Sequence, residues 1–260
     1  MNKTALVTGS TSGIGEAFAN IFSDNGYNLV LVARDAEKLK EQAKRLSQKN
    51  HIETYTVVCD LEQPGAADTV FQQVQEYGLQ INILINNAGF NEYGNFLSTS
   101  VKKEIAMIQL HTVFPTEMMK LFLPGMVKNR NGRVLNVGST GSYIPCPNDA
   151  VYAATKSYIL SVSKAISAEL KGSGVTITTL CPGSTKTKFA EKAGMENTLL
   201  FKLFVMQPEV VANIGYKALL RGKVSVVSGL YNKLLVFSSC LLPNAVINFI
   251  TIKMLATSKK

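Results

Sequence analysis

Three polar side chains in the second half of the chain have the types and the spacing of a proton-transfer site. Tyr152 and Lys156 are four residues apart, and Ser139 lies thirteen residues before Tyr152. Residues at positions i and i+4 share one face of an α-helix, so a lysine ammonium can lie beside a tyrosine ring. A nearby cation lowers the pKa of a phenol from its ordinary value of about 10. The pattern therefore predicts a tyrosine that exchanges protons, with its pKa lowered by the lysine.

A glycine-rich turn near the start of the chain predicts a phosphate-binding site. Lys3–Thr8 is a short apolar run suited to a buried strand, and Ile14–Asn25 has the apolar spacing of a helix. The glycines lie between them, spaced Gly-x-x-x-Gly-x-Gly. Gly9 permits the bend, Gly13 lets the backbone approach a pyrophosphate, and Gly15 lets the helix pack closely. The helix N-terminus then offers unpaired N–H groups to the anion.

Strand and helix patterns alternate along the whole chain. We expect one domain, with residues 1–233 forming a dinucleotide-binding and catalytic part and residues 234–260 an apolar C-terminal extension of it. Helical patterns begin near Ala36, Ala66, Val101, Tyr152 and Pro208. Alternation of this kind predicts an α/β fold, a doubly wound parallel sheet with helices on both faces and ligands at the carboxyl ends of its strands. The predicted strands are Lys3–Thr8, Leu29–Ala33, Thr54–Cys59, Ile81–Ile85, Arg133–Val137, Thr176–Cys181 and Val224–Val227.

Four motifs follow one another in the chain. They are the glycine turn, then Asn86-Asn87-Ala88-Gly89, then Ser139 with Tyr152 and Lys156, then Pro182-Gly183 followed by Thr187. In this order, and over nearly the whole chain, they resemble those of the short-chain dehydrogenase/reductase family, single-domain type. The resemblance implies a Rossmann-like oxidoreductase that interconverts a ketone and a secondary alcohol. The alternative is a non-catalytic nucleotide-sensing or membrane-associated interaction protein on the same fold.

The resemblance also implies the roles of individual residues. Tyr152 is the general acid–base, Lys156 lowers the tyrosine pKa and holds the nicotinamide ribose, and Ser139 hydrogen-bonds the reacting oxygen. His111 aligns with an asparagine that in many members holds a water molecule. Imidazole can hold a water or relay a proton; the alternatives are that His111 is a packing residue or that Gln109 takes this role.

The same resemblance places the cofactor-binding residues at the ends of the predicted strands. Asp60 matches an adenine contact, and Thr187 matches a contact to the nicotinamide carboxamide. The complete set that it implies is Gly9, Ser10, Ser12, Gly13, Ile14, Gly15, Arg34, Asp60, Leu61, Asn87, Ala88, Gly89, Tyr152, Lys156, Pro182, Gly183, Thr185 and Thr187.

The end of the second predicted strand favours NADP(H) over NAD(H). NAD-preferring members of the family have an acidic residue where Ala33 stands, and here Arg34 follows. A guanidinium matches the oxygens of the 2′-phosphate, whereas a carboxylate at Ala33 would repel it. The alternative is that Arg34 is a solvated loop residue. Asp35 is expected to cap the next helix.

Composition excludes several other classes of protein. The net charge is +9, but the basic residues are dispersed along helices, which disfavours nucleic-acid binding. His51 and His111 have no metal-ligand spacing, so we expect no metal site. A strand beginning almost at Met1 leaves no room for a signal peptide, so a cytoplasmic protein is expected. Four scattered cysteines are expected to be reduced core or near-core thiols, namely Cys59, Cys146, Cys181 and Cys240.

Two segments bear on the substrate. The apolar stretch after Pro182-Gly183 (Leu199, Leu200, Phe201, Leu203, Phe204, Val205 and Met206) favours an apolar substrate such as a steroid, a fatty-chain ketone or an aromatic carbonyl. Its residues could equally pack on the core, and Lys186, Lys188 and Lys192 leave an acyl thioester or another anion open.

The tail is the second segment. Leu234–Ile252 is uncharged but is interrupted by Pro243, which favours two short helices, Lys233–Leu242 and Asn244–Leu255, over a membrane span. The tail would cover the pocket, contact another subunit of a homodimer or homotetramer, or attach peripherally to a membrane through a basic end at Lys253, Lys259 and Lys260.

Overall fold

Parallel strands form the centre of the molecule. A computed structural model describes residues 3–203, 205–239 and 241–255. Within these residues lie seven strands, namely β1 Thr4–Thr8, β2 Asn28–Ala33, β3 Thr54–Val58, β4 Ile81–Asn86, β5 Gly132–Val137, β6 Val175–Cys181 and β7 Ser225–Val227. They pair in the order β3-β2-β1-β4-β5-β6-β7, all parallel. The predicted doubly wound sheet is therefore confirmed.

Helices cover both faces of this sheet. Six begin within two residues of the positions predicted from their apolar spacing. The segment Gln109–Val113 is a π-helical turn between two of them, and Thr140–Ser142 is a short 3₁₀ turn. The α-helices are α1 Gly13–Asp24, α2 Ala36–Asn50, α3 Ala66–Glu76, α4 Val101–Ile108, α5 Phe114–Lys128, α6 Ala150–Glu169, α7 Lys188–Lys192, α8 Leu199–Lys202, α9 Pro208–Leu220, α10 Leu230–Ser239 and α11 Asn244–Leu255.

The core consists of two layers, one on each face of the sheet. In β1 every residue is buried, and Leu6 belongs to one layer while Val7 belongs to the other. This explains why β1 is a continuous apolar run rather than an alternating one. Helices α3, α5 and α6 pack on the first face, and α1, α2 and α9 pack on the second.

The site lies where the order of the strands reverses. Strand β1 lies between β2 and β4, so the loops that follow β1 and β4 diverge and leave a crevice. Hydrogen bonds fix the two loops to each other: Thr8 Oγ1 accepts from the backbone N–H groups of Asn87 at 2.9 Å and Ala88 at 3.1 Å. Asn87 Nδ2 donates to the Thr8 carbonyl oxygen at 2.8 Å. The crevice therefore has fixed walls on both sides.

The tail forms a helix pair after β7. The break at Pro243 and the bounds of α11 are as expected, but the first helix is Leu230–Ser239 rather than Lys233–Leu242. It starts earlier because Lys233 N–H donates to the Gly229 carbonyl and Asn232 Nδ2 donates to the Ser228 carbonyl. None of the helices in the described ranges has both the length and the apolar character needed to cross a bilayer.

The cysteines agree with the expectation where the structure describes them. Cys59, Cys146 and Cys181 are free thiols, the first two half-buried and the third buried. Cys240, Phe204 in the apolar stretch before α9, and the terminal Lys259 and Lys260 lie outside the described residues.

Candidate active site

A cavity of about 550 Å³ lies at the carboxyl ends of the strands. It is lined by most of the residues that the sequence predicted to bind the cofactor or take part in catalysis; Ser10, Gly15 and His111 are the exceptions. The predicted residues that line it are Gly9, Ser12, Gly13, Ile14, Arg34, Asp60, Leu61, Asn87, Ala88, Gly89, Ser139, Tyr152, Lys156, Pro182, Gly183, Thr185 and Thr187.

Ser10 and Gly15 lie behind the cavity wall and support the glycine turn. Ser10 is fully buried, and its carbonyl accepts a hydrogen bond from Gln42 Nε2 at 2.8 Å. A Cβ atom on Gly15 would lie 2.2 Å from the Gly9 carbonyl oxygen. Both residues therefore shape the turn, and their contact with the cofactor stays a prediction.

The glycine turn fits a pyrophosphate. Gly9 and Gly13 have φ values of +63° and +57°, which glycine adopts without strain. A Cβ on Gly13 would lie 2.8 Å from Thr187 Cγ2, so glycine is also needed for the loop after β6 to approach. Ser12, at the N-cap of α1, forms no side-chain capping bond to a described residue. The first-turn N–H groups of α1 therefore face the cavity without a side-chain cap, as an anion site requires.

The end of the cavity where the adenosine is expected differs from the prediction. Arg34 Nη1 lies 2.7 Å from Glu62 Oε1 and 3.7 Å from Asp60 Oδ1. The guanidinium thus already contacts two carboxylates, although the residue at Ala33 supplies none. Asp35 caps α2 as expected, since its Oδ1 accepts from the Lys38 N–H at 3.1 Å. Sequence reasoning missed Glu62 because its contact with Arg34 arises only when the ends of β2 and β3 lie side by side.

Ser139, Tyr152 and Lys156 meet at the end of β5. Ser139 Oγ accepts from the Gly141 N–H at 3.0 Å, which fixes the hydroxyl oxygen and leaves its hydrogen to be donated to Tyr152 or to a ligand. Lys156 is 6% exposed; its Nζ donates to the Val137 carbonyl at 3.0 Å and lies 5.6 Å from the Tyr152 ring centroid. The predicted proximity of the lysine to the tyrosine is present.

The pKa of Tyr152 differs from the value that the sequence led us to expect. Burial is the main cause that raises the pKa of Tyr152, the Asp149 carboxylate adds to it, and a hydrogen bond from Ser139 acts in the opposite direction. Burial also lowers the pKa of Lys156 to about 8, because a buried ammonium loses its hydration. The expected lowering of the Tyr152 pKa is therefore wrong for this structure. Loss of solvation outweighs the lysine, which is directed towards Val137.

His111 lies in the π-helical turn, a type of distortion that often accompanies functional sites. It is 2% exposed, and its Nδ1 is 3.0 Å from Thr155 Oγ1. Because the Thr155 hydroxyl donates to the Tyr152 carbonyl, it accepts from His111, so Nδ1 carries the hydrogen and Nε2 is an acceptor. Burial, followed by the charge of Lys156, lowers the pKa of His111, so the ring is neutral.

A small cavity lies between His111 and Lys156. It has a volume of about 10 Å³ and is lined by Thr8, Asn86, His111 and Lys156 among others. This volume is at the lower limit for one water molecule. Nε2 of His111 has no hydrogen-bond partner among the described residues and lies against Gly89. Gln109, the alternative for this role, lines neither cavity.

The other half of the large cavity is mostly apolar. Leu200 and Phe201 line it, whereas Leu199, Leu203, Val205 and Met206 do not. Lys188 and Lys192 also line it, and Lys186 does not. The helix pair of the tail closes this side, as expected for a pocket cover: the Tyr93 hydroxyl donates to the Leu255 carbonyl, and the Leu255 side chain packs on Ala190 and Met195. The tail residues that line the cavity are Leu235, Ser238, Ser239, Leu242, Ile247, Ile250, Thr251, Met254 and Leu255.

Two polar residues in this apolar half were missed by the sequence analysis. Asn91 and Asp149 are 6% and 7% exposed and both line the cavity. Asn91 Nδ2 donates to Asp149 Oδ1 at 2.8 Å. Burial raises the pKa of Asp149 to about 7. A signal existed for one of them, because Asp149 is the only acidic residue between Ser139 and Lys156.

This geometry agrees with what comparison with known proteins shows. The family model for short chain dehydrogenases matches residues 3–198. The chain belongs to the short-chain dehydrogenase/reductase family. It is therefore an oxidoreductase of a family that uses a nicotinamide cofactor.

Similar members of this family act on different substrates. The very-long-chain 3-oxoacyl-CoA reductase of Rattus norvegicus is 30% identical over 200 residues, which cover 74% of this chain and 62% of that protein. The match thus spans less than two thirds of that relative's length. A short-chain dehydrogenase from Sphingobium yanoikuyae, solved in complex with NADPH, is 28% identical, with a TM-score of 0.80, 92% of this chain and 94% of that chain covered. A 7beta-hydroxysteroid dehydrogenase structure is 27% identical, with a TM-score of 0.85 and 96% of each chain covered.

Proposed function

We propose that this protein interconverts a ketone and a secondary alcohol on an apolar substrate, with NADP(H) as the cofactor. The observation that carries this proposal is the position of Ser139, Tyr152 and Lys156. They line one cavity between a glycine turn that fits a pyrophosphate and an apolar wall that fits a hydrocarbon substrate.

In the direction of ketone reduction, this chain's residues supply the proton and stabilise the charge. When bound, the nicotinamide supplies the hydride to the carbonyl carbon. Tyr152 donates its phenolic proton to the oxygen, and the raised pKa keeps that proton in place until transfer. Ser139 donates a hydrogen bond to the same oxygen, where negative charge develops. Lys156 holds the ribose, and His111 with the small cavity beside it passes a proton back towards Lys156.

The preference for NADP(H) is supported by Arg34 and by the side chain of Lys38. Both line the adenosine end of the cavity, and Ala33 adds no carboxylate there. The similar structure from Sphingobium yanoikuyae contains NADPH. Glu62 opposes the preference, because the Arg34 guanidinium has to exchange this carboxylate for the 2′-phosphate. A 2′-phosphate carries more negative charge than the single carboxylate of Glu62, and this difference favours the exchange.

An apolar substrate is supported by the wall that the tail and Phe201 form. Steroids, fatty-chain ketones and aromatic carbonyls all fit this description. A second class, acyl thioesters, is favoured by Lys188 and Lys192, which line the cavity and could meet an anionic carrier. The rat relative is named as a reductase of such a thioester.

A panel assay tests the proposal against the non-catalytic alternative. Steroid ketones, long-chain ketones, aryl ketones and a 3-oxoacyl thioester are each incubated with NADPH or NADH, and oxidation of the cofactor is followed by its absorbance. We expect turnover with NADPH that the Tyr152→Phe variant lacks. NADPH binding without turnover of any member, or of the corresponding alcohols with NADP⁺, would favour the nucleotide-sensing protein.

The assembly and the location remain predictions. A homodimer or homotetramer is supported by the apolar side chains that α4 exposes, Val101 and Ile105 among them. Light scattering at known concentration measures the assembly. We propose that the protein is cytoplasmic and that any contact with a membrane is peripheral. Cell fractionation with salt washing would test this location.

A further inference from the structure

Asp149 occupies the N-cap position of α6 but does not cap the helix. An aspartate at this position usually accepts a hydrogen bond from the N–H group two or three residues later. Here the side chain forms no capping bond to any described residue, and Oδ1 accepts from Asn91 Nδ2 at 2.8 Å instead. Support of the helix therefore does not explain why a carboxyl group is buried at this point.

No cation compensates this carboxyl group. Within the described ranges, no lysine, arginine or histidine forms an ion pair with Asp149. Its neighbours are neutral groups, the phenols of Tyr93 and Tyr152 and the thiol of Cys146, whose pKa values it helps to raise. A buried carboxylate without a cation is unfavourable, and burial accordingly raises the Asp149 pKa to about 7. The group therefore exists in both protonation states near neutral pH.

Its partner Asn91 has an unused acceptor. Asn91 is 94% buried, since 6% of it is exposed, and its Oδ1 has no hydrogen-bond partner among the described residues. Its Nδ2 is already directed to Asp149 and to Met195 Sδ, the latter at 3.2 Å. A buried acceptor without a partner is rare in folded proteins, and here it belongs to a residue that lines the cavity. Oδ1 has almost no exposed surface of its own, so a ligand with a hydrogen to donate would satisfy it after a rotation of the Asn91 amide towards the cavity.

We propose that Asn91 and Asp149 form a subsite for a hydroxyl group of the substrate, so that the substrate is a hydroxyketone or the corresponding diol. This inference rests on the proposed function and narrows its substrate class. A hydroxyl both donates and accepts, so it can pair with Asn91 Oδ1 and with Asp149 in either protonation state. An ammonium only donates, so it could pair with Asn91 Oδ1 but could not accept the hydrogen of a protonated Asp149.

The subsite lies close to the reacting centre. Asp149 immediately precedes α6 and Tyr152 is the third residue of that helix. Both side chains line the cavity, and the Asp149 carboxylate is near enough to raise the pKa of the Tyr152 phenol, so we place the substrate hydroxyl beside the reacting carbonyl group. This geometry selects a hydroxyl at the reacting end of the molecule, while its hydrocarbon part extends towards the tail.

Three matched aryl ketones test the subsite. Acetophenone, α-hydroxyacetophenone and α-aminoacetophenone share one skeleton and differ only in the group beside the carbonyl. For each, kcat/KM is measured with NADPH for the wild type and for Asp149→Leu, Asp149→Asn and Asn91→Leu. The readout is kcat/KM for the hydroxyketone divided by kcat/KM for acetophenone. Comparing this ratio between variants cancels the intrinsic reactivity of each ketone. Asp68→Leu, at an exposed carboxylate in the first turn of α3, is the matched control.

We expect Asp149→Leu and Asn91→Leu each to lower this ratio by about tenfold, the effect of one hydrogen bond, while Asp149→Asn and Asp68→Leu change it little. Equal ratios in all variants would overturn the subsite and leave the proposed function intact. A preference of the wild type for the aminoketone would overturn the assignment of a hydroxyl.

Failure of the proposed function gives a different result. If the wild type reduces none of the three ketones, calorimetric binding of the same compounds to its complex with NADPH replaces kcat/KM. Tighter binding of the hydroxyketone that is lost in Asn91→Leu would then support the subsite without turnover, and equal binding would overturn it. If Asp149→Leu does not fold, Asn91→Leu and Asp149→Asn decide the question alone.

Discussion

The two halves of the cavity are built in different ways. On the cofactor side, loops follow directly from strands, and hydrogen bonds such as that from Asn87 Nδ2 to the Thr8 carbonyl fix one loop to the next. On the substrate side, the wall consists of a loop before α6, the segment around Phe201 and the tail helices, held mainly by apolar contacts. The register of the sheet therefore determines the first half, and side-chain packing between distant segments determines the second. We therefore expect that a substitution in one half changes the binding of its own ligand and leaves the other half intact.

Tyr152→Phe is expected to give the largest difference between the loss of turnover and the loss of cofactor binding. The substitution deletes one hydroxyl and keeps the ring, so turnover should fall by about 10²–10⁴-fold while NADPH binding is retained. Steady-state rates and NADPH fluorescence titration measure the two quantities. Turnover near the wild-type rate in a folded variant would contradict the assignment of proton transfer to this phenol.

Removal of the tail should affect the substrate side alone. Deleting the chain from Leu234 onward removes several apolar side chains from the wall, each worth about 1.5–3 kcal/mol when fully buried. We expect KM for the substrate to rise by about 100-fold and the Kd of NADPH to change little. Leu255→Ala is the milder form, and Leu241→Ala is its control because Leu241 is 71% exposed. Equal loss of both ligands would show that the tail supports the whole fold.

Arg34→Ala should affect the cofactor side alone. Loss of a charge-assisted hydrogen bond to the 2′-phosphate should weaken NADPH by about 10- to 100-fold and leave NADH binding almost unchanged. Isothermal titration of both cofactors gives the comparison. Equal weakening of the two, or tighter binding of NADH by the wild type, would rule out NADP(H) preference through this residue.

His111 tests the boundary between the halves. His111→Asn keeps a polar group beside Lys156 and should be tolerated, whereas His111→Leu should slow turnover by about tenfold with a smaller effect on NADPH binding. The pH profile of kcat should also change in His111→Leu, because the proposed route for the proton is lost. Identical rates and pH profiles in the three forms would make His111 a packing residue.

The smallest effect is expected at Glu62. Its carboxylate lies 2.7 Å from Arg34 Nη1, and the arginine side chain is 61% exposed. Exposed ion pairs contribute about 0–1 kcal/mol, so Glu62→Gln should tighten NADPH binding by about fivefold at most. NADH binding should not change, and Glu37→Gln, at another carboxylate near the start of α2, serves as the control. Weaker NADPH binding in Glu62→Gln would mean that the glutamate orients Arg34 rather than competing for it.

More of the residues predicted to bind the cofactor than of those predicted to meet the substrate line the cavity. Helices α2, α3, α4 and α9 begin at the predicted residues, because apolar spacing reports which face of a helix is buried. Glycines, asparagines and the Pro182-Gly183 pair mark strand ends, which a parallel sheet brings to one edge. Each of these features is formed by residues that are close in the sequence, so the sequence alone is enough to predict it.

The contacts that sequence did not predict join distant segments. Asn91 and Asp149 are 58 residues apart, and the Arg34–Glu62 pair needs two strand ends side by side. The sequence gives no sign of the π-helical turn. It is only five residues long, which is too short for its one extra residue to change the apolar spacing visibly. The direction of the Tyr152 pKa shift depends on how completely the phenol is enclosed, which spacing along a helix does not determine.

The position of the tail after β7 has an evolutionary consequence. Every strand that the structure describes precedes α10, so an exchange of the segment from Leu230 onward should leave the register of the sheet unchanged. Recombination at this junction could transfer a substrate preference between relatives while the residues around Tyr152 stay unchanged. The same independence makes the junction a natural crossover point for chimeras assembled in the laboratory.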